Sequence, residues 1–239
     1  LVKIIGDFGV VIAGTEPISA KVIEAAPHLR LISRVGIGLD SVNLTATRAH
    51  DVLVSYTPDA PSPAVAELTI GLMLALLRDI TGADRKIRNG VWHRFMGQRL
   101  SERTVGVIGV GRIGKRVIQH LVGGFHGVRI LANDIEPDLE FGHTHGVRWV
   151  AKETIYSEGD LISLHLPLTS MTRQLITRRE MAKMRPGTVL INTSRGNMID
   201  ECDLAKALRA NLLGGAAIDV FRSEPYSGEL TTLENCILT

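Results

Sequence analysis

The feature that most constrains this chain is Thr104-Val-Gly-Val-Ile-Gly109-Val-Gly111-Arg112-Ile113-Gly114, with Asp134 twenty residues beyond Gly114. An apolar run of strand character ends in a glycine turn and a helix-like segment follows. A second apolar run, residues 128–132, then closes on the acid. Glycine permits a tight turn at 109, close approach of a pyrophosphate at 111 and tight helix–strand packing at 114. The helix N-terminus adds N–H groups and positive dipole aimed at the phosphates. A bare G-x-G-x-x-G says little, but the strand before it, the helix after it and the acid at this distance predict a dinucleotide-binding unit.

The rest of the chain repeats the same alternation. Strands are predicted at 9–13 and 29–35, then at 104–108, 128–132, 161–165, 188–192, 214–218 and 236–239. Helices are predicted at 18–26, entered through Ser19, and at 65–78, 112–122, 177–184 and 201–210, the last with Asp200 as its cap. Strand–helix alternation of this kind specifies a doubly wound parallel α/β sheet. Residues 57–63 hold three prolines and read as a break that cannot propagate a helix or central strand. That break divides a first domain, 1–64, from a second, 65–239. The first is too short to make a sheet covered on both faces.

Composition excludes several function classes. Net charge is only +2 and no basic run is interleaved with aromatics, so nucleic-acid binding has little support. The longest apolar run, residues 68–77, is too short to span a bilayer, and no signal peptide is expected. Two cysteines, Cys202 and Cys236, suit a reducing cytoplasm and lack metal-ligand spacing, so no metal site is expected.

Four segments at predicted strand ends matter, because ligands of open α/β sheets bind there. Asp134 suits the adenosine ribose hydroxyls and repels a 2′-phosphate; no Arg or Lys follows it, so NAD is favoured over NADP. Arg195, just past a buried strand, offers a planar fork for a carboxylate. Asp219 and Glu224 lie in a strand-to-loop transition, where either could orient an imidazole or accept from a carboxamide. Arg34-Val-Gly36-Ile37-Gly38 could bring backbone N–H groups to an anion. Taken singly, Arg195 would read as a surface arginine in a turn and the two acids as solvated loop residues, while the Arg34 segment reads equally as a simple turn.

In this order and spacing, these segments together with His165-Leu-Pro-Leu-Thr and Asn192-Thr-Ser-Arg-Gly resemble the D-isomer-specific 2-hydroxyacid dehydrogenases. The phosphoglycerate dehydrogenase-like members are the nearest in pattern. The resemblance implies a Rossmann-type NAD-binding domain, an incomplete flavodoxin-like substrate domain, a cleft between them and a homodimer. It also implies a 2-hydroxy/2-oxo acid as the small-molecule partner. Position by position, Arg195 matches the arginine that holds the substrate carboxylate and carbonyl, and Glu224 the acid paired with a catalytic histidine. Asp219 matches the carboxamide contact. Gly109, Gly111, Arg112, Ile113 and Gly114 match the pyrophosphate turn. Leu166, Pro167, Thr193 and Ser194 match further cofactor contacts. Arg34, Gly36, Ile37 and Gly38 match the substrate loop.

Two departures stand out. The family's histidine follows a strand end like Ile237-Leu238-Thr239, and none of the eight histidines here, His93, His143, His145 and His165 included, replaces it. The chain is therefore expected to be a fragment or ordered part of a longer protein, without turnover by these residues alone. Where phosphoglycerate-specific relatives usually carry an arginine, this chain has Ala13-Gly14-Thr15, so an unphosphorylated hydroxy acid becomes a contender. The alternative reading is a non-catalytic, NAD-sensing corepressor-like module. Another NAD enzyme class, such as S-adenosylhomocysteine hydrolase, leaves Arg195 and Glu224 unexplained.

Overall fold

Short apolar runs, most of them buried at every residue, build a seven-stranded parallel sheet from β4 (Thr104–Ile108), β5 (Arg129–Asn133), β6 (Val147–Trp149), β7 (Leu161–Leu164), β8 (Val189–Asn192), β9 (Gly215–Ile218) and β10 (Cys236–Leu238). Its order is β10-β9-β8-β7-β4-β5-β6, so the chain reverses direction across the sheet after β6. Val105, Val107, Leu161, Val189, Ile191 and Ala217 face one apolar core, shared with α3 (Ser62–Leu77) and α5 (Arg112–Gly124). The intervening Ile108, Ile162, Leu164, Leu190, Ala216 and Ile218 face a second core. There they meet α7 (Lys152–Glu158), α8 (Arg178–Met181) and α9 (Glu201–Arg209). A sheet buried on both faces needs continuous apolar strands rather than alternating ones, which these sequences supply. The fold is the expected Rossmann-type parallel sheet.

The structure is a computed structural model describing all 239 residues, and it separates into two compact units, Leu1–Pro63 and Ala64–Thr239. In the smaller unit, β1 (Val10–Ala13), β2 (Leu31–Arg34) and β3 (Leu53–Tyr56) form a parallel sheet in that order. α1 (Ala20–Glu24) and α2 (Leu44–Ala49) are its crossovers, and Asn43 caps α2 by accepting the Ala46 N–H at 2.9 Å. Ile18, Val22, Ile23 and Ile32 pack its core, whereas Val10, Ile12 and Leu53 are 55%, 76% and 72% exposed.

Several local expectations need correction. Residues 57–63 do not exclude a helix: α3 starts at Ser62, with Pro63 in its first turn. Proline fits there because that N–H has no intrahelical partner in any case. Ser19 occupies the N-cap of α1 but its side chain makes no cap bond. The helix expected at 177–184 is one turn long, closed by a capping box between Thr177 and Glu180. β3, β6, α2, α7, α4 (Ile80–Arg88) and α6 (Leu139–His145) were not expected at all.

Candidate active site

All strands of the larger sheet run the same way, so the turns after β4, β5, β7, β8 and β9 gather at its carboxyl edge. The turn after β4 is shaped by backbone contacts. Gly109 has φ +93°, and a Cβ on it would stand 2.5 Å from the His165 carbonyl oxygen and 2.9 Å from Leu166 Cδ2. At Gly114 a Cβ would overlap the Gly109 carbonyl. Gly111, the N-cap of α5, differs from both: a Cβ there meets no atom within 4 Å. No side chain caps α5, so no protein hydroxyl or carboxylate occupies the cap position at the positive end of its dipole.

Asp134 completes this edge. Its Oδ2 accepts the Val110 N–H at 2.6 Å and its Oδ1 the Glu136 N–H at 3.1 Å, which fixes the carboxylate beside the glycine turn. A carboxylate accepts about four hydrogen bonds, so capacity remains for two ribose hydroxyls. The nearby cation, Lys115, is committed elsewhere: its Nζ lies 2.5 Å from Asp138 Oδ2 and 5.2 Å from the centre of the Phe141 ring. That ammonium, with the Phe141 N–H, holds the Asp138 carboxyl below its usual range. An unfilled cradle before Gly111, uncapped helix donors and an acid at ribose distance in sequence all fit NAD.

The turn after β8 is built by one side chain. Asn192 is fully buried; its Nδ2 donates to the Arg195 carbonyl at 2.9 Å. Its Oδ1 accepts from the Ser194 N–H at 3.1 Å and the Ser194 hydroxyl at 2.7 Å. The Thr193 hydroxyl lies 3.0 Å from that of Thr69 on α3, both buried. Arg195 donates through Nη1 to the Ser194 carbonyl at 2.6 Å. A Cβ on the next residue, Gly196, would overlap the backbone of Phe221 and Arg222, so only glycine lets the Arg195 turn lie against the Asp219–Glu224 loop. In that loop Glu224 Oε1 accepts the Phe221 N–H at 3.1 Å, and Phe221 stacks on Tyr226 at 4.3 Å. Glu201 Oε1 accepts the Arg222 N–H at 2.7 Å, and Asp219 Oδ1 accepts the Thr239 hydroxyl at 2.9 Å. The structure thus brings Arg195, Asp219 and Glu224 into adjoining loops.

His165 is no proton donor at neutral pH. Its Nε2 pairs with the Ser163 hydroxyl at 2.8 Å, its Nδ1 is buried without a partner, and burial pushes its pKa down to about 4. In the smaller unit, Arg34 ends β2, buried, with Nη1 donating to the Val35 carbonyl. Gly36 has φ +141° and donates its N–H to the Thr57 hydroxyl at 2.8 Å; Ile37 and Gly38 follow in the same loop. Three contributors escaped sequence reasoning: Asn192 as a brace, Thr69, and Glu16. The Glu16 carboxylate lies 3.1 Å from where a Cβ of Gly14 would be, at the end of β1.

Comparison with known proteins shows the family. Residues 70–239 match the family model described as D-isomer specific 2-hydroxyacid dehydrogenase, NAD binding domain. The hydroxypyruvate reductase of Thermotoga maritima is 37% identical over all of this chain and 79% of its own length. The D-3-phosphoglycerate dehydrogenase of Methanocaldococcus jannaschii is 39% identical over 98% of this chain and 45% of its own length. Among solved structures, D-lactate dehydrogenase from Aquifex aeolicus, complexed with NAD and lactic acid, matches all of this chain and 77% of its own, with TM-score 0.90 and 25% identity. No helix is long and apolar enough to cross a membrane. The chain belongs to the D-isomer-specific 2-hydroxyacid dehydrogenases, NAD-dependent oxidoreductases that act on the CH–OH group of their donors.

Proposed function

We propose that the substrate is a short, unphosphorylated D-2-hydroxy acid and its 2-oxo acid, of the hydroxypyruvate type, rather than 3-phosphoglycerate. The observation that carries this is the Glu16 carboxylate over Gly14 at the carboxyl end of β1, next to the strand that ends in Arg34. A carboxylate there repels a phosphate dianion, and no arginine occupies residues 13–15 to offset it. The hydroxypyruvate reductase relative supports the same choice.

NAD, when bound, supplies or takes the hydride at C2 of the acid. The chain's residues do the rest. Gly109, Gly111, Arg112, Ile113 and Gly114 receive the pyrophosphate, and Asp134 receives the ribose. Leu166, Pro167, Thr193 and Ser194 line the cofactor, and Asp219 accepts from its carboxamide. Arg195 clamps the substrate carboxylate and polarises the C2 carbonyl, where charge develops during reduction. The amides of Gly36, Ile37 and Gly38 provide further donors to the carboxylate. Glu224 would hold a proton on an imidazole brought against it and raise that group's pKa toward the working range. A module that only senses NAD has no use for a braced Arg195. Residues 1–64 act as the substrate domain and 65–239 as the cofactor domain, and we expect a homodimer in the cytoplasm.

The test is a substrate panel on the full natural chain with NADH: hydroxypyruvate, glyoxylate, pyruvate and phosphohydroxypyruvate. The expected kcat/KM for hydroxypyruvate exceeds that for the phosphorylated acid by at least about tenfold, one charge–charge contact in the site. Preference for phosphohydroxypyruvate overturns the assignment.

A further inference from the structure

Thr69 lies in the middle of α3, a helix that is apolar almost all round and meets the sheet through Ala66, Leu72, Met73 and Leu77. Its hydroxyl is fully buried in that core. Valine has the same shape, fills the same space and needs no partner, so packing alone does not call for threonine here. The hydroxyl has two neighbours, the Val65 carbonyl at 2.8 Å and the Thr193 hydroxyl at 3.0 Å.

The two contacts join into one hydrogen-bonded chain from α3 to the turn. A carbonyl only accepts, so the Thr69 proton is spent on Val65. With the Thr69 proton on Val65, the Thr193 hydroxyl donates to Thr69 Oγ1; either way the two hydroxyls are hydrogen-bonded to each other. Thr193 begins the turn whose next residues are Ser194 and Arg195, and the Asn192 amide makes that turn one rigid piece. A directional bond of about 3 Å in a dry, low-dielectric core constrains position more tightly than an apolar contact, which tolerates sliding. α3 is also the element within which the chain passes from the smaller unit to the larger, six residues before Thr69.

We infer that Thr69 is a positioning residue for the reaction: through the Thr193 hydroxyl it sets the placement of the turn that aims Arg195 at the substrate. This rests on the assignment of Arg195 as the substrate arginine. A misplacement near 1 Å at a clamping group costs up to about 100-fold in rate, so loss of one remote hydroxyl is measurable.

The experiment compares Thr69→Val, Thr69→Ser and Arg195→Lys, singly and as the Thr69→Val/Arg195→Lys double variant, in the full natural chain. Steady-state reduction of hydroxypyruvate is read beside NADH affinity from fluorescence titration. Thr69→Val is expected to lower kcat about tenfold while the NADH Kd stays within twofold; Thr69→Ser restores kcat to within twofold of the parent. Thr69→Val adds no further loss on the Arg195→Lys background, because the residue acts through that arginine. Should the valine variant not fold, Thr69→Ala reads the same hydroxyl. Parental kcat in Thr69→Val, or an undiminished loss on the Arg195→Lys background, overturns the inference. Parental kcat/KM in Arg195→Lys itself instead overturns the assignment of Arg195, a distinct outcome.

Discussion

Both β4 and β8 end at the carboxyl edge of one sheet, yet the turn after β4 leads into a helix that no side chain caps, whereas the turn after β8 is tied down by its own asparagine. After β4, Gly111 faces empty space and α5 starts without a cap. After β8, the Asn192 side chain satisfies Ser194 and Arg195 from within. The difference follows from what each turn presents. A phosphate is bound by backbone N–H groups at a helix start, a place that a capping side chain would otherwise take. A substrate carboxylate is bound by a side chain, and that side chain is accurate only if the backbone beneath it is fixed.

The largest expected effect breaks the second turn's product. Arg195→Lys replaces a planar fork by a point charge and should lower kcat/KM by about 10²–10³, measured in steady state, with the NADH Kd little changed. Asn192→Leu strikes the brace instead. It leaves the buried Ser194 N–H unpartnered and the Arg195 carbonyl with the Met198 N–H alone, and chemical denaturation should show a loss of about 1–3 kcal/mol with no change in m.

The support under the first turn predicts an acid limit. The His165 carbonyl lies against Gly109, and its imidazole is held neutral, with its pKa shifted from 6.5 down to about 4. A depressed histidine contributes stability that is complete above pH 6.5 and is lost as pH falls from 6.5 towards 4. The loss reaches about 3 kcal/mol at the low end, and denaturation curves at several pH values should show it reduced in His165→Asn. Smallest is Asp134→Ala, which removes the ribose acceptor. NADH affinity should fall about tenfold, one charged hydrogen bond's worth, while discrimination against NADPH weakens.

The first turn was legible in the sequence because its requirements are local: apolar period, glycines and an acid at fixed spacing. The seven-stranded core was legible for the same reason, strand by strand, except β6, where Arg148 at the centre of three residues leaves no apolar run. The second turn was only half legible. Arg195 stood out through its neighbours, but the Asn192 amide folding back over the turn, and Thr69 reaching Thr193 across 124 residues, are tertiary facts. Glu16 was invisible likewise, since an acid three residues past a strand reads as a solvated loop. Pro63 misled for a different reason: a proline cluster breaks a helix only past the first turn.

The comparison between the two turns is tested most directly by Gly111→Ala. A Cβ at 111 touches nothing in the protein, so only a bound ligand can register it. NADH titration alongside thermal melting should show affinity at least about tenfold weaker with Tm within about 2 °C of the parent. Unchanged NADH affinity with the protein folded would contradict the account, because the pyrophosphate would then lie somewhere other than before Gly111.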